Sequence, residues 1–311
     1  MSSEAYFPGA VAMINSLRHH GHDEPIYLLD LGLTDAHREL LSAEAKIVTP
    51  PADTPPWLAK THAPVAHPAE TMVLIDVDMV VTRPLGELMA SAAGGRVIAF
   101  ENNLDRFVPQ WGEVLGLGRL DRRPYVCSGI VLAGGEPGAE TLRLLDERQR
   151  LVDYERTYFA RNDADYALLY LDQDVLNAVL QSRLDRERFE ALPYRLAPFP
   201  PFSDLELIDV DALRCAYPDG TEPYVVHQIL PEKPWLDPVY DGVYVRLLKR
   251  MLTGDDVAIR IDPAELPLRL RRGPLAYAEQ KRINLAQRFR WHVGDPLRAR
   301  RRRTAVRGMA G

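Results

Sequence analysis

The sequence predicts an α/β fold with a mixed, mostly parallel sheet flanked by helices. Short apolar runs alternate with segments of helical period, the pattern of strands joined by covering helices. No internal repeat or long linker interrupts this alternation before a basic C-terminal stretch. A chain of 311 residues with 46% hydrophobic composition also supplies the core of one large domain. The expected organisation is one main domain over residues 1–255 and a helical, basic extension over 256–311.

The elements follow in order. "PGAVAMINSLRHHG" reads as a helix that starts at Pro8, where the missing N–H costs nothing, and stops near Gly21. "PIYLLDLG" reads as a strand, and "TDAHRELLSAEA" as a helix that Thr34 caps. "VTPPADTPPW" is a proline-rich loop, and "LAKTHAPVAHPAE" leads from it into a strand at 72–76. Further strands are expected at 96–100, 125–132 and 224–227, and helices at 138–151 and 174–182.

The net charge of −6 conceals two opposite regions. From Arg269 to the end stand 13 Lys and Arg against Glu279 and Asp295, a net of +11. Residues 1–268 carry 25 Lys and Arg against 42 Asp and Glu, a net of −17. The densest basic run, "RARRRR" at 298–303, suits an anionic lipid surface, and nucleic acid is not the expected partner. The absence of a signal-peptide layout and of any apolar run of membrane length leads to an expectation of a cytoplasmic protein, with peripheral attachment at the inner membrane face. Two cysteines, Cys127 and Cys215, form no disulfide framework and lack zinc-site spacing.

Chemistry concentrates in four segments. "MVLIDVDMVV" sets Asp76 and Asp78 two positions apart in an apolar run. On a strand such residues share a face, so the carboxylates would repel unless a cation lies nearby, and paired carboxylates at a strand end suit a hard divalent cation. "VVHQILPEKPW" adds His227, whose imidazole moves such a site toward Mn²⁺ with Mg²⁺ as the alternative, and Lys233, whose ammonium neutralises phosphate charge. "LDQDVLN" places Asp172, Gln173 and Asp174 at a helix start. "YVCSGIVLAGG" puts Ser128 and Gly129 within a strand, where a glycine permits close approach to the backbone.

The set "LIDVDMVV", "SGIVLAG", "LDQDVLN" and "HQILPEKPW", in this order, resembles the retaining glycosyltransferases of family 8, which have a GT-A fold. The likeness runs from "SEAYFPGAVAMINSLR" to Trp235, keeps the interval from His227 to Lys233, and sets Lys60 sixteen positions before Asp76. It implies Mn²⁺ held by Asp76, Asp78 and His227, with Lys233 on the donor diphosphate. Tyr6 would stack on uracil and Lys60 would contact donor phosphate or sugar. Asp172 and Gln173 would line the sugar beside the anomeric carbon, with Ser128, Gly129 and Asp174 contributing to the donor site. The implied reaction moves a hexose from a UDP-sugar to a glycan or lipid-linked acceptor with retention.

The chain departs from the family pattern in places. Five residues precede Tyr6, so the family's first strand is almost absent. Ser3, Cys127 and Leu230 replace an acid, an asparagine and a glycine that touch the donor. A transferase-like binding protein without turnover is therefore the alternative. A haloacid dehalogenase-type phosphotransferase fits less well: its second acidic pair could only be "GDDVAIRID", where Ile259 and Arg260 stand in place of the last acid.

Overall fold

A computed structural model describes residues 1–289. The Arg-rich run at 298–303 lies outside the described residues.

In chain order the elements are α1 (Phe7–His19), β1 (Ile26–Leu29), α2 (Asp35–Leu41), β2 (Ala45–Val48), α3 (His62–Ala66), β3 (Thr71–Ile75) and β4 (Met79–Val81). Then come α4 (Gly86–Ala93), β5 (Val97–Glu101), α5 (Trp111–Val114), β6 (Val126–Gly134), α6 (Gly135–Gln149), α7 (Asp172–Ser182) and β7 (Phe189–Leu192). The chain continues through β8 (Glu206–Asp209), β9 (Arg214–Ala216), β10 (Val225–His227), α8 (Val243–Thr253) and α9 (Pro274–Phe289).

The central sheet has the order β3-β6-β5-β7. β6 runs against both of its neighbours, whereas β5 and β7 are parallel, so three of the four strands share a direction. The sheet is mixed as expected, although two of its three pairings are antiparallel. Strand periodicity divides its side chains between two cores. Ile98, Phe100, Ile130 and Leu132 pack with Leu88 and Ala92 of α4, while Val97, Ala99, Val131 and Ala133 pack with α6 and α7. A sheet buried on both faces needs apolar residues at every position, which explains the unbroken hydrophobic stretches of β5 and β6.

Several expected elements differ. The helix after Thr34 is capped as predicted, with the Thr34 hydroxyl accepting from the His37 amide at 3.2 Å, but it ends at Leu41, and residues 45–48 pair in parallel with β1. The proline-rich loop ends in a 3₁₀ helix, Pro56–Thr61. Its Thr61 hydroxyl donates to Asp146 of α6 at 2.6 Å. Before α1, Ser2 forms a single parallel bridge to Asp30.

A third core lies between α1 and α8. Asn15, buried in α1, donates to the carbonyls of Met251 and Ile259 at 2.8 and 2.9 Å and accepts from the Ile259 amide at 2.8 Å. Its amide is fully used, as a buried polar group requires. Ile259, Ile261, Leu266 and Leu270 fill the same core, so the packing of the main domain continues past residue 255.

Candidate active site

Asp76 and Asp78 do not share a strand face. They occupy the turn between β3 and β4, so their approach is set by the two neighbouring pairings. Ile75 lies opposite Ile130 on β6, and the Asp76 amide donates to the Gly129 carbonyl at 2.8 Å. On the other side β4 pairs with β10, with Met79 opposite His227, and the Gln228 amide donates to the Asp78 carbonyl at 2.9 Å. One aspartate is thereby tied to "CSG" and the other to "HQILPEK".

Each carboxylate has its own cations. Asp78 Oδ1 lies 3.1 Å from His227 Nε2, and Asp78 Oδ2 accepts from Lys233 Nζ at 2.7 Å. Lys233 also donates to the Gln228 carbonyl. His227 and Lys233 are 4% and 3% exposed, so this triad is held away from water. Burial opposes charge on Asp78 and His227, yet the pairing wins: Asp78 is held well below the usual carboxylate range, and His227 is raised to about 10. Asp76 Oδ1 instead pairs with Lys60 Nζ at 2.9 Å. That ammonium also donates to the Ser128 carbonyl at 2.7 Å and lies 3.4 Å from Asp172. Burial disfavours its charge, but Asp76 and Asp172 outweigh that and raise its pKa.

Two glycines create the space. A Cβ on Gly129 would stand 2.7 Å from His227 Cε1 and from Met79 Cε, and 3.1 Å from Asp76. Gly129 therefore makes room for the side chains of Asp76 and His227. A Cβ on Gly9 would lie 2.7 Å from both Trp235 and the Val77 carbonyl, so this glycine lets α1 press against the turn that carries both aspartates. Trp235 Nε1 donates to the Ala5 carbonyl at 2.8 Å, and Tyr6 meets the Trp235 ring edge-on at 6.0 Å.

At the start of α7, Leu171 holds φ 54° and ψ −128°, a conformation that costs a bulky residue on the order of 1–3 kcal/mol. This strained entry directs Asp172 toward Lys60. Gln173 accepts from the Ser128 amide at 3.4 Å and donates to the Tyr125 hydroxyl at 3.1 Å. Asp174 corrects the sequence expectation. It is fully buried, and its oxygens accept from Arg106, from Tyr125 and from the Tyr170 amide. Residues two apart on a helix point roughly 200° apart, so Asp174 braces the sheet behind the site and has no free oxygen to offer a donor.

Tyr125 and Arg106 are thus supporting residues that sequence reasoning missed. Burial and then Asp174 raise the Tyr125 phenol. Tyr244 of α8 is another: its buried hydroxyl has no hydrogen-bond partner among the described residues. Burial, and then the charge of Asp78, push its pKa well above the ordinary value. Its place in the amphipathic run of α8 marks it only as a core residue.

The side chains of Asp76, Asp78 and His227 fit a shared cation. One atom from each of Asp76, Asp78 and His227 lies within 4.8 Å of the others, a span open to ligands about 2.1–2.6 Å from one ion. Two carboxylates and an imidazole also match the donor preferences of Mn²⁺ or Mg²⁺.

No protein-family profile and no curated protein sequence matches the chain. Among solved structures it is similar to the bifunctional glycosyltransferase WbbM in its apo form, at 16% identity and a TM-score of 0.48, covering 80% of this chain. The chain spans only 48% of that protein's length. It is similar to the galactosyltransferase LgtC in complex with donor and acceptor sugar analogues, at 16% identity and a TM-score of 0.48, over 78% of this chain and 91% of that one. An active-site mutant of LgtC gives a TM-score of 0.46 at the same identity. The solved structures named here are glycosyltransferases.

Proposed function

We propose that this chain transfers a hexose from a UDP-sugar, with a divalent cation at Asp76, Asp78 and His227, to a glycan or lipid-linked acceptor. One observation carries the reading. The residues that the family resemblance assigns to metal and diphosphate converge around one turn, with Lys60 and Lys233 at its two ends.

Cleavage of a glycosyl-diphosphate bond builds negative charge on the diphosphate and positive charge on the sugar. A bound divalent cation supplies Lewis-acid stabilisation of the leaving diphosphate. Lys233 adds an ammonium on that side, and one such preorganised contact is worth about 3 kcal/mol. Its buried position and its bond to the Gln228 carbonyl fix its direction before the donor arrives. Lys60 reaches the other end of the turn and joins Asp76 to Asp172, which with Gln173 faces the sugar. Tyr6, beside Trp235, takes the base.

No described helix is long and apolar enough to cross a membrane. The Arg-rich run at 298–303 supplies the charge for peripheral contact with anionic lipid, at about 1 kcal/mol per residue near the surface. Lipid binding of this kind suits a lipid-linked acceptor.

The test is UDP release from a panel of UDP-sugars with Mn²⁺, alongside thermal melting with UDP. Release with one or more sugars, together with a UDP-induced rise in Tm that needs Mn²⁺, is the expected result. Equal stabilisation by UDP in chelator, with no release, would leave the non-catalytic binding reading.

A further inference from the structure

The start of β6 is locked to the first turn of α7. Asn177 accepts from the Val126 amide and donates to the Val126 carbonyl, both at 2.8 Å, and donates again to the Gln173 carbonyl at 2.8 Å. Asn177 is buried, so this clamp is shielded from water, and it sets the Tyr125 hydroxyl against the Gln173 side chain.

The carboxamide of Gln173 has two ends of similar shape and opposite hydrogen-bonding character, and its neighbours decide which end meets a ligand. The decision begins at Asp174. Its two oxygens sit in the Arg106 guanidinium fork at 2.8 and 3.1 Å, and the Tyr170 amide donates to Oδ2 at 2.9 Å. A carboxylate held in this way only accepts, so the Tyr125 hydroxyl, 2.7 Å from Oδ1, directs its one proton there. Burial and the charge of Asp174 keep that proton on the phenol. Toward Gln173, 3.1 Å away, Tyr125 has only a lone pair left to offer. The end that faces it is therefore the Nε2 amine, and the carbonyl turns the other way. There Oε1 accepts from the Ser128 amide at 3.4 Å, on the side where the Ser128 carbonyl and Asp172 converge on Lys60.

We infer that Tyr125 is a positioning residue that fixes the Gln173 amide with Nε2 turned inward and Oε1 offered to the sugar, a role that rests on the transfer reaction proposed above. The sugar gains positive charge as the diphosphate leaves, so an amide oxygen beside it stabilises the transition state, where an amine would oppose it. Fixing the amide before the donor arrives also removes the reorganisation that a freely turning side chain would need. Asp174→Asn keeps an oxygen able to accept from Tyr125, so the test belongs at Tyr125.

The experiment is a double-mutant cycle on the full-length protein: wild type, Tyr125→Phe, Gln173→Ala and the double variant, each assayed for UDP release with Mn²⁺ and the UDP-sugar that the wild type uses fastest. Tyr125→Phe should lower kcat about tenfold and leave KM for the donor within about twofold. On the Gln173→Ala background the same change should alter kcat by less than about twofold, because the residue it acts through is gone. A comparable loss on both backgrounds marks a purely structural role and overturns the proposal, as does an unchanged kcat in Tyr125→Phe. The side-chain ¹⁵N–¹H signals of Gln173, assigned by their absence from Gln173→Ala, give a readout without turnover. In the wild type one Nε2 proton should exchange with water about tenfold more slowly than in Tyr125→Phe or, if that variant does not fold, than in the unfolded chain. Equal exchange overturns the positioning, whether or not a sugar is transferred. A wild type that releases no UDP from any sugar, with the Gln173 amide held as described, refutes the transfer reading and with it the catalytic use of Tyr125.

Discussion

Two stretches of this chain carry the same spacing, Asp-Val-Asp at 76–78 and Asp-Gln-Asp at 172–174, and the structure uses them in opposite ways. The first lies in a turn between strands, and both carboxylates face the candidate site, each with its own lysine. The second opens α7, and the helix sends its acids apart: Asp172 reaches Lys60, while Asp174 is buried against Arg106 and Tyr125. An i, i+2 pair of acids is therefore not a motif until the backbone between them is known. In a turn it can make one site, and on a helix it makes one site residue and one brace.

The comparison is broken most forcefully at Asp78. Asp78→Ala removes a metal ligand and the partner of both His227 and Lys233. Turnover of a UDP-sugar should fall below detection, at least 10³-fold, which is about 4 kcal/mol of transition-state stabilisation. The stranded buried cations should also lower unfolding free energy by about 3 kcal/mol. UDP release and urea denaturation measure the two losses separately, and a variant with wild-type turnover would remove Asp78 from the site.

Asp174→Ala should give the reverse signature. It leaves Arg106 and the Tyr125 hydroxyl without their buried acceptor, so stability should drop by about 3 kcal/mol. The Mn²⁺-dependent affinity for UDP should stay within about threefold of wild type in the folded fraction, since Asp174 faces away from the cleft. Calorimetric titration with UDP at a temperature well below the shifted Tm distinguishes these effects. Undiminished stability with lost UDP binding would restore the donor contact expected from sequence.

How much of this was legible beforehand depends on where the chemistry sits in the chain. Asp76, Asp78, His227 and Lys233 stand out because charged or imidazole side chains interrupt apolar runs at fixed intervals. The turn between β3 and β4 is hidden by the same runs: Met79, Val80 and Val81 are buried and as apolar as most of the strand before them, so nothing in composition marks the break. Asp174 was misread because its partners Arg106 and Tyr125 lie about 50 to 70 residues away, beyond the reach of local pattern. α8 was legible in principle, since Tyr244, Val245, Leu248, Met251 and Leu252 recur at helical spacing. β7 was not, being four residues long and half-buried throughout.

Gly129→Ala sharpens the first half of the comparison without touching a charge. The added methyl would meet His227 and Met79 at 2.7 Å, closer than side chains tolerate, so the imidazole must shift away from Asp78. Overpacking of this kind costs about 2 kcal/mol, and Mn²⁺-dependent stabilisation by UDP should weaken about tenfold. Titration of Mn²⁺ at fixed UDP, followed by thermal melting, reads the loss directly. A variant that binds Mn²⁺ and UDP as the wild type does would show that His227 is not held where the ligand assignment needs it.

The smallest effect on the fold belongs to Asp172, and it tests the second half. Its carboxylate lies 3.4 Å from Lys60 and is 23% exposed, while Lys60 keeps Asp76 at 2.9 Å and the Ser128 carbonyl at 2.7 Å. Asp172→Asn should therefore change stability by less than about 1 kcal/mol. The charge that faces the sugar is lost, so kcat should fall about tenfold, equivalent to about 1.4 kcal/mol, with KM for the donor little changed. Asp172→Asn and Asp174→Asn then form a matched pair, the same chemical change two residues apart on one helix. The first should alter rate and spare stability, and the second should do the opposite. If both variants lose stability equally and keep kcat, the outward turn of Asp172 has no catalytic meaning, and α7 serves the site only as a support for Lys60.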